Sequence, residues 1–86
     1  MSNSTIVVYG ADWCIDCRRA KRFLTQNQIP FEWINIEQDK QGEQFVISMN
    51  KGMRSIPTIV FEDGSILVEP SNEQLTKKLQ LLTKAC

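Results

Sequence analysis

A small α/β domain, with one mixed β-sheet and helices on its faces, is predicted by three observations. The apolar pattern switches between period-two runs and helical spacing, in the order strand, helix, strand, helix, strand, strand, helix. The first three elements form a βαβ unit, whose right-handed crossover makes its strands parallel. The Asp63-Gly64 pair between two apolar runs then predicts an antiparallel hairpin added to the same sheet.

Each element has its own signature. Residues 5–9 are β-branched and aromatic, as a buried first strand requires. Over residues 14–26, Cys17, Ala20, Phe23, Leu24 and Asn27 follow helical spacing, with Arg18, Arg19, Lys21 and Arg22 on the other face. Pro30 closes that connection. Residues 31–36 alternate, Phe31, Trp33 and Asn35 against Glu32, Ile34 and Ile36. A second helix is predicted over 39–50, with Phe45, Val46 and Met49 as its apolar stripe and Gly52 as its stop. Short strands at 57–62 and 65–68 flank the turn, and Ser71 or Asn72 caps a last helix carrying Leu75, Leu79 and Leu82. This βαβαββα order, a four-stranded mixed sheet flanked by three helices, is the thioredoxin fold in its minimal form.

Size and composition bound the function. At 86 residues the chain is read as one domain, 1–86, of modest stability. Ten basic residues balance ten acidic ones, so net charge points to neither nucleic acid nor an anionic membrane. Met1 to Thr5 and the four-residue apolar run that follows are too short and too uncharged to be read as a signal peptide or a span. There is no His, which removes Cys-His and Ser-His-Asp catalysis. Three cysteines are too few for a secreted disulfide scaffold, so a reducing cytoplasm is expected.

The chemistry centres on Cys14-Ile15-Asp16-Cys17 at a strand-to-helix junction. Sulfurs three residues apart share one face of the first helical turn, close enough to alternate between dithiol and disulfide. The helix amino end and the nearby bases favour a thiolate at Cys14, while Asp12 and Asp16 oppose it. Lowering a thiol pKa from about 8.5 to about 5.5 raises the thiolate fraction at pH 7 about thirty-fold. It forfeits roughly 15- to 30-fold in nucleophilicity, so the clearer gain is a better leaving group when a second thiol resolves the mixed disulfide. Cys17, one turn deeper, is that second thiol. One C-x-x-C pair without His cannot close a mononuclear zinc site within this chain, so no metal is expected.

Other residues carry two readings each. The basic face of the first helix is either a solvated surface or a dock for an acidic partner or a small-thiol carboxylate. Trp13 is either an exposed apolar rim beside Cys14 or packing beneath the loop. Pro57 is either an ordinary trans proline opening a strand or a cis turn that faces the Ile56 N–H and C=O outward for an extended substrate. Cys86 reads as a terminal thiol with no catalytic duty.

Trp13-Cys14-x-x-Cys17, Ser55-Ile56-Pro57-Thr58 and the element order together resemble the glutaredoxin family over almost the whole chain. The stretch from Glu43 through Thr58, then Phe61 to Ser65 and Pro70-Ser71, is most similar to mycoredoxin-like dithiol members. The resemblance implies a cis Pro57, Cys14 as nucleophile and Cys17 as resolving thiol. It also implies a small thiol, glutathione or mycothiol, as reductant, with no tightly bound cofactor. Two positions depart from the family pattern. Gly10 to Trp13 hold no lysine before the first cysteine, and Glu69-Pro70-Ser71-Asn72 stands where many members have a Gly-Gly pair. The backbone N–H groups at Ser71 and Asn72 still offer a carboxylate site, and Lys51 and Arg54 are further candidates.

The expected activity is thus thiol–disulfide exchange on protein disulfides or small-thiol–protein mixed disulfides by a monomer. Two alternatives stay open. One is an electron donor to ribonucleotide reductase, recharged by a thioredoxin reductase. The other is a dimeric carrier holding an iron–sulfur cluster on Cys14 and external thiols.

Overall fold

The structure, a computed structural model, describes residues 5–84. The amino-terminal residues 1–4, Cys86 and the side chain of Leu82, on which expectations were placed above, lie outside what it describes. The elements run β1 (Ile6–Gly10), α1 (Ile15–Gln26), β2 (Phe31–Asn35), α2 (Lys40–Met49), β3 (Thr58–Val60), β4 (Ile66–Val68) and α3 (Asn72–Lys84). Strand order is β2-β1-β3-β4. β1 pairs parallel with β2, Ile6 opposite Phe31 and Gly10 opposite Asn35, and antiparallel with β3, Tyr9 opposite Thr58. β4 then pairs antiparallel with β3. This is the thioredoxin fold with its mixed sheet and three helices.

Alternation along β1 divides the sheet into two faces. Ile6 and Val8 join Ile59 and Phe61 beneath Ala20 and Leu24 of α1 and Leu75 of α3, forming the main core. Tyr9 points the other way and stacks on Phe45 of α2, ring centroids 4.8 Å apart. Gly42 lets α2 close on that face, since a methyl there would lie 2.8 Å from the Ile34 side chain.

The helix ends explain themselves. The Asp39 carboxylate caps α2 by accepting the Gly42 N–H at 2.9 Å. Ser71 and Gln74 form a reciprocal capping box at α3, Gln74 N–H to Ser71 Oγ at 3.1 Å and Ser71 N–H to Gln74 Oε1 at 2.9 Å. α1 and α2 both stop in Schellman turns. The Ile29 N–H reaches Leu24 O and the Gly52 N–H reaches Ile47 O, each at 2.8 Å. The left-handed residues at those turns are Gln28 (φ 59°) and Lys51 (φ 56°), so the chain reverses at Lys51, one residue before the predicted glycine stop. Asn27 is not part of the apolar stripe: it is exposed and its amide caps Phe23 O at 2.8 Å.

The hairpin is wider than the two-residue Asp63-Gly64 turn predicted. Its strands are three residues each, and the Phe61 N–H bonds Ser65 O while the Gly64 N–H bonds Phe61 O. That pattern is a three-residue loop, Glu62-Asp63-Gly64, with glycine in the left-handed position at φ 87°. Asp63 stiffens it. Its carboxylate accepts the Ser65 hydroxyl and N–H and pairs with Lys78, which holds its pKa down at about 2.

Candidate active site

β1 delivers the chain to a loop that is tied down on both sides. The Cys14 N–H bonds Ala11 O at 3.2 Å, and the Ile36 N–H bonds Gly10 O at 2.9 Å. Asn35 donates to the Asp12 carboxylate at 3.4 Å, and the Trp13 indole N–H donates to Glu37 Oε2 at 3.1 Å. The loop therefore presents Cys14 as the cap residue of α1, with extended backbone at φ −81°, ψ 117°. In place of the usual serine or aspartate oxygen, the Cys14 sulfur accepts the Cys17 N–H at 3.1 Å. Such a bond is stronger to an anionic sulfur than to a neutral one.

Both cysteines are free thiols. Cys14 retains 8 % of its surface and Cys17 none. Burial is the main cause that pushes the Cys17 thiol up to about 12; its hydrogen bond to Cys14 acts the same way, and a bond to the Ala11 backbone opposes both. Cys17 is held against Gly10 and the Trp33 ring, in a small cluster completed by Ala11, Cys14 and Ile56. Lys21 covers the Trp33 ring, its Nζ 3.7 Å from the centroid. Sequence spacing placed Trp33 only on one side of the second strand and Lys21 on a basic face read as either a solvated surface or a dock. Trp33 packs against the buried thiol's cluster, and Lys21 lies over the Trp33 ring.

The Ile56-Pro57 peptide bond is cis, as the resemblance implied. Pro57 is buried, its carbonyl accepts the Glu69 N–H at 2.7 Å, and the Thr58 hydroxyl donates to Ser55 O at 2.7 Å. Among the described residues no hydrogen bond engages the main chain of Ile56, whose side chain packs on the cysteine cluster. A buried thiol capping a helix, a deeper thiol and an adjacent main-chain edge with unused donor and acceptor are thus gathered at one end of the sheet.

Comparison with known proteins assigns this arrangement. The family model described as Glutaredoxin matches residues 6–66. The chain belongs to the glutaredoxin family. The glutaredoxin is 38 % identical over 79 residues to a Mycobacterium tuberculosis protein provisionally named a glutaredoxin, covering 92 % of this chain and 94 % of that one. It is 29 % identical to mycoredoxin 1 of Corynebacterium glutamicum, covering 92 % and 98 %. A crystal structure of a thioredoxin-like protein superposes with a TM-score of 0.74 at 26 % identity, covering 85 % of this chain and 97 % of that one. The enzymatic class of this glutaredoxin is thiol–disulfide oxidoreductase.

The remaining predicted site residues divide. Trp13 is the exposed rim of the two readings, 63 % accessible, steered by Glu37. Arg54 is engaged with carboxylates: its Nε pairs with Glu43 at 2.9 Å and its guanidinium reaches the same Glu37 oxygen at 3.4 Å. Ser71 is the cap of α3, and the Asn72 amide oxygen accepts from Arg19 at 2.8 Å. Arg19 also donates to Pro70 O at 3.1 Å and pairs with Asp16 at 3.5 Å. The glutaredoxin thereby ties α1 to the start of α3 through a residue whose basic face the sequence read as either a solvated surface or a dock. Lys51 is exposed at the end of α2.

Proposed function

We propose that this glutaredoxin reduces disulfides in proteins, and mixed disulfides between proteins and small thiols, with Cys14 as nucleophile and Cys17 as resolving thiol. The observation that carries the reading is the sulfur-capped helix start, where the Cys17 N–H meets Cys14 Sγ at 3.1 Å and Cys17 is fully buried behind it. The Cys14 thiolate attacks one substrate sulfur, a new S–S bond forms, and the other sulfur leaves and takes a proton. Cys17 then gives up its proton and attacks Cys14, releasing the second substrate thiol. Two external thiols return the Cys14–Cys17 disulfide to the dithiol and leave as their own disulfide.

The raised pKa orders these steps. While Cys14 is anionic, burial, the bond to Cys14 and the charge on Cys14 all keep the Cys17 proton in place. Once Cys14 is linked to substrate, the last two causes vanish, and Cys17 becomes easier to ionise when its attack is needed. The free N–H and C=O of Ile56 hold an extended substrate backbone, and Trp13 supplies apolar contact at the rim. At the start of α3 the Ser71 N–H is taken by Gln74, which leaves the Asn72 N–H for a carboxylate, and Arg54 serves a carboxylate elsewhere by exchanging one of its present partners, Glu37 or Glu43. We place the reaction in a reducing cytosol, where two free thiols persist.

The test is turnover of a peptide mixed disulfide by three proteins. Cys14→Ser abolishes reduction, and Cys17→Ser retains a monothiol reaction on small-thiol adducts while losing reduction of protein disulfides. Near-normal rates in Cys14→Ser would reverse the assigned roles. Parallel reduction of the oxidised protein by glutathione, mycothiol and a thioredoxin reductase identifies the electron source.

A further inference from the structure

The outer face of α1 carries a groove of about 260 Å³ lined by Ile15, Arg18, Arg19 and Arg22. Arg19 is occupied with Pro70, Asn72 and Asp16. Arg18 and Arg22 are exposed and, among the described residues, their guanidinium groups make no hydrogen bond or ion pair. Spaced i, i+4, they stand one above the other. Among the described residues Asp16 is the one carboxylate found paired there, so the groove is locally cationic on a chain with no net charge. It begins at Ile15, which is 77 % exposed and lies between the two cysteines.

We infer that this groove docks an acidic segment flanking the target cysteine of a disulfide-bearing protein. The inference rests on the oxidoreductase reading above and names the substrate class. The helix rises 1.5 Å per residue, which sets Arg18 and Arg22 roughly 6 and 12 Å along the axis from Cys14. An extended peptide advances about 3.4 Å per residue and turns alternate side chains to one side. A strand whose cysteine meets Cys14 therefore presents its second and fourth neighbours, about 7 and 14 Å away, to the two free guanidinium groups. Aspartate or glutamate at those positions matches the groove in sign and spacing. The exposed Ile15 and Trp13 give the same strand apolar contact where it enters.

The test uses two synthetic peptides, each with one cysteine held as a mixed disulfide with neutral 2-mercaptoethanol. One carries Asp at the second and fourth positions on both sides of the cysteine, the other Asn. The readout is the ratio of kcat/KM for the acidic peptide to that for the neutral one, which cancels any effect on the intrinsic reactivity of Cys14. Two exposed ion pairs predict a ratio of about three to ten for the unmodified protein at low salt. The ratio falls to about one in the Arg18→Gln/Arg22→Gln double variant, and also in about 0.5 M salt, where charges are screened over a few ångströms. A ratio near one in the unmodified protein, or one that survives the double substitution, overturns the inference while leaving the oxidoreductase reading intact. If the double variant instead slows only a glutathione-linked Asn peptide relative to its mercaptoethanol-linked form, the groove serves a small-thiol carboxylate and the inference fails. Failure to cleave any of these disulfides removes the oxidoreductase reading and this inference together.

Discussion

Gly10 ends β1 against the buried thiol, and replacing it by alanine tests whether that wall positions Cys17. The added methyl would lie 2.5 Å from Cys17 Sγ and 2.9 and 3.0 Å from two carbons of the Trp33 ring. Carbon contacts settle at about 3.5–4.0 Å, so something must move by roughly 1 Å. The indole is pinned between β2 and Lys21, and the Cys17 backbone lies inside α1, which leaves withdrawal of the sulfur as the main relief. Overpacking of this kind costs about 1–3 kcal/mol, or about 4–20 °C in Tm for a domain of this size. A displacement of about 1 Å at the reacting sulfur slows closure of the Cys14–Cys17 disulfide by up to about a hundred-fold. Thermal unfolding of the reduced protein and stopped-flow oxidation read the two effects. Gly52→Ala is the contrast: at φ 93° with open space around it, it loses about 1 kcal/mol through the backbone and leaves closure unchanged. A Gly10→Ala protein that melts within about 2 °C of its parent and closes its disulfide at the parental rate would refute the reasoning.

Two further outcomes are expected. The folded Cys17 thiol ionises at about 12, above the ordinary thiol value of the unfolded chain, so its contribution is complete below that ordinary value and is lost as pH rises. Stability should therefore fall by up to about 1.4 kcal/mol per pH unit from about pH 9 upward, and Cys17→Ala should flatten the slope in denaturant titrations at stepped pH. Gln28→Gly removes a non-glycine side chain from a left-handed helix stop at φ 59° and should stabilise by about 0.5–1 kcal/mol, read as a higher midpoint in guanidinium; an unchanged or lower midpoint would count against that account.

How much was legible in the sequence depended on range. Elements and the cysteine placement were readable because each rests on local spacing, such as the i, i+3 sulfurs or the choice of Ser71 or Asn72 as the cap of the last helix, of which the structure selects Ser71. The hairpin loop was misjudged because Asp63-Gly64 suits a two-residue turn equally well, and the Phe61–Ser65 pairing that selects the wider one is a matter of strand register. The left-handed stops at Gln28 and Lys51 carried no glycine to announce them. Trp33 and Gly10 as the walls of Cys17, Glu37 as the partner of both Trp13 and Arg54, and Arg19 as a link to α3 were not readable. The pairings of Glu37 and Arg19 span 17 to 53 residues, and nothing in the local pattern of a charged or aromatic side chain names so distant a partner, while Gly10 and Trp33 meet Cys17 through the packing of α1 on the sheet, which local spacing does not state. The cis Pro57 was accessible only through family likeness, since a proline at a strand entrance reads as trans by default.

The unequal exposure of the two sulfurs also decides how the molecule meets peroxide. Cys14 is reached first, and its conversion to a sulfenic acid places an electrophilic sulfur directly before a protected thiol that has kept its proton and its reactivity. Condensation expels water and yields a Cys14–Cys17 disulfide, the one formed in the proposed turnover. The indole packed against Cys17 thus makes an insult to the front sulfur repairable by a thiol reductant, before it can climb to the sulfinic and sulfonic acids from which there is no return.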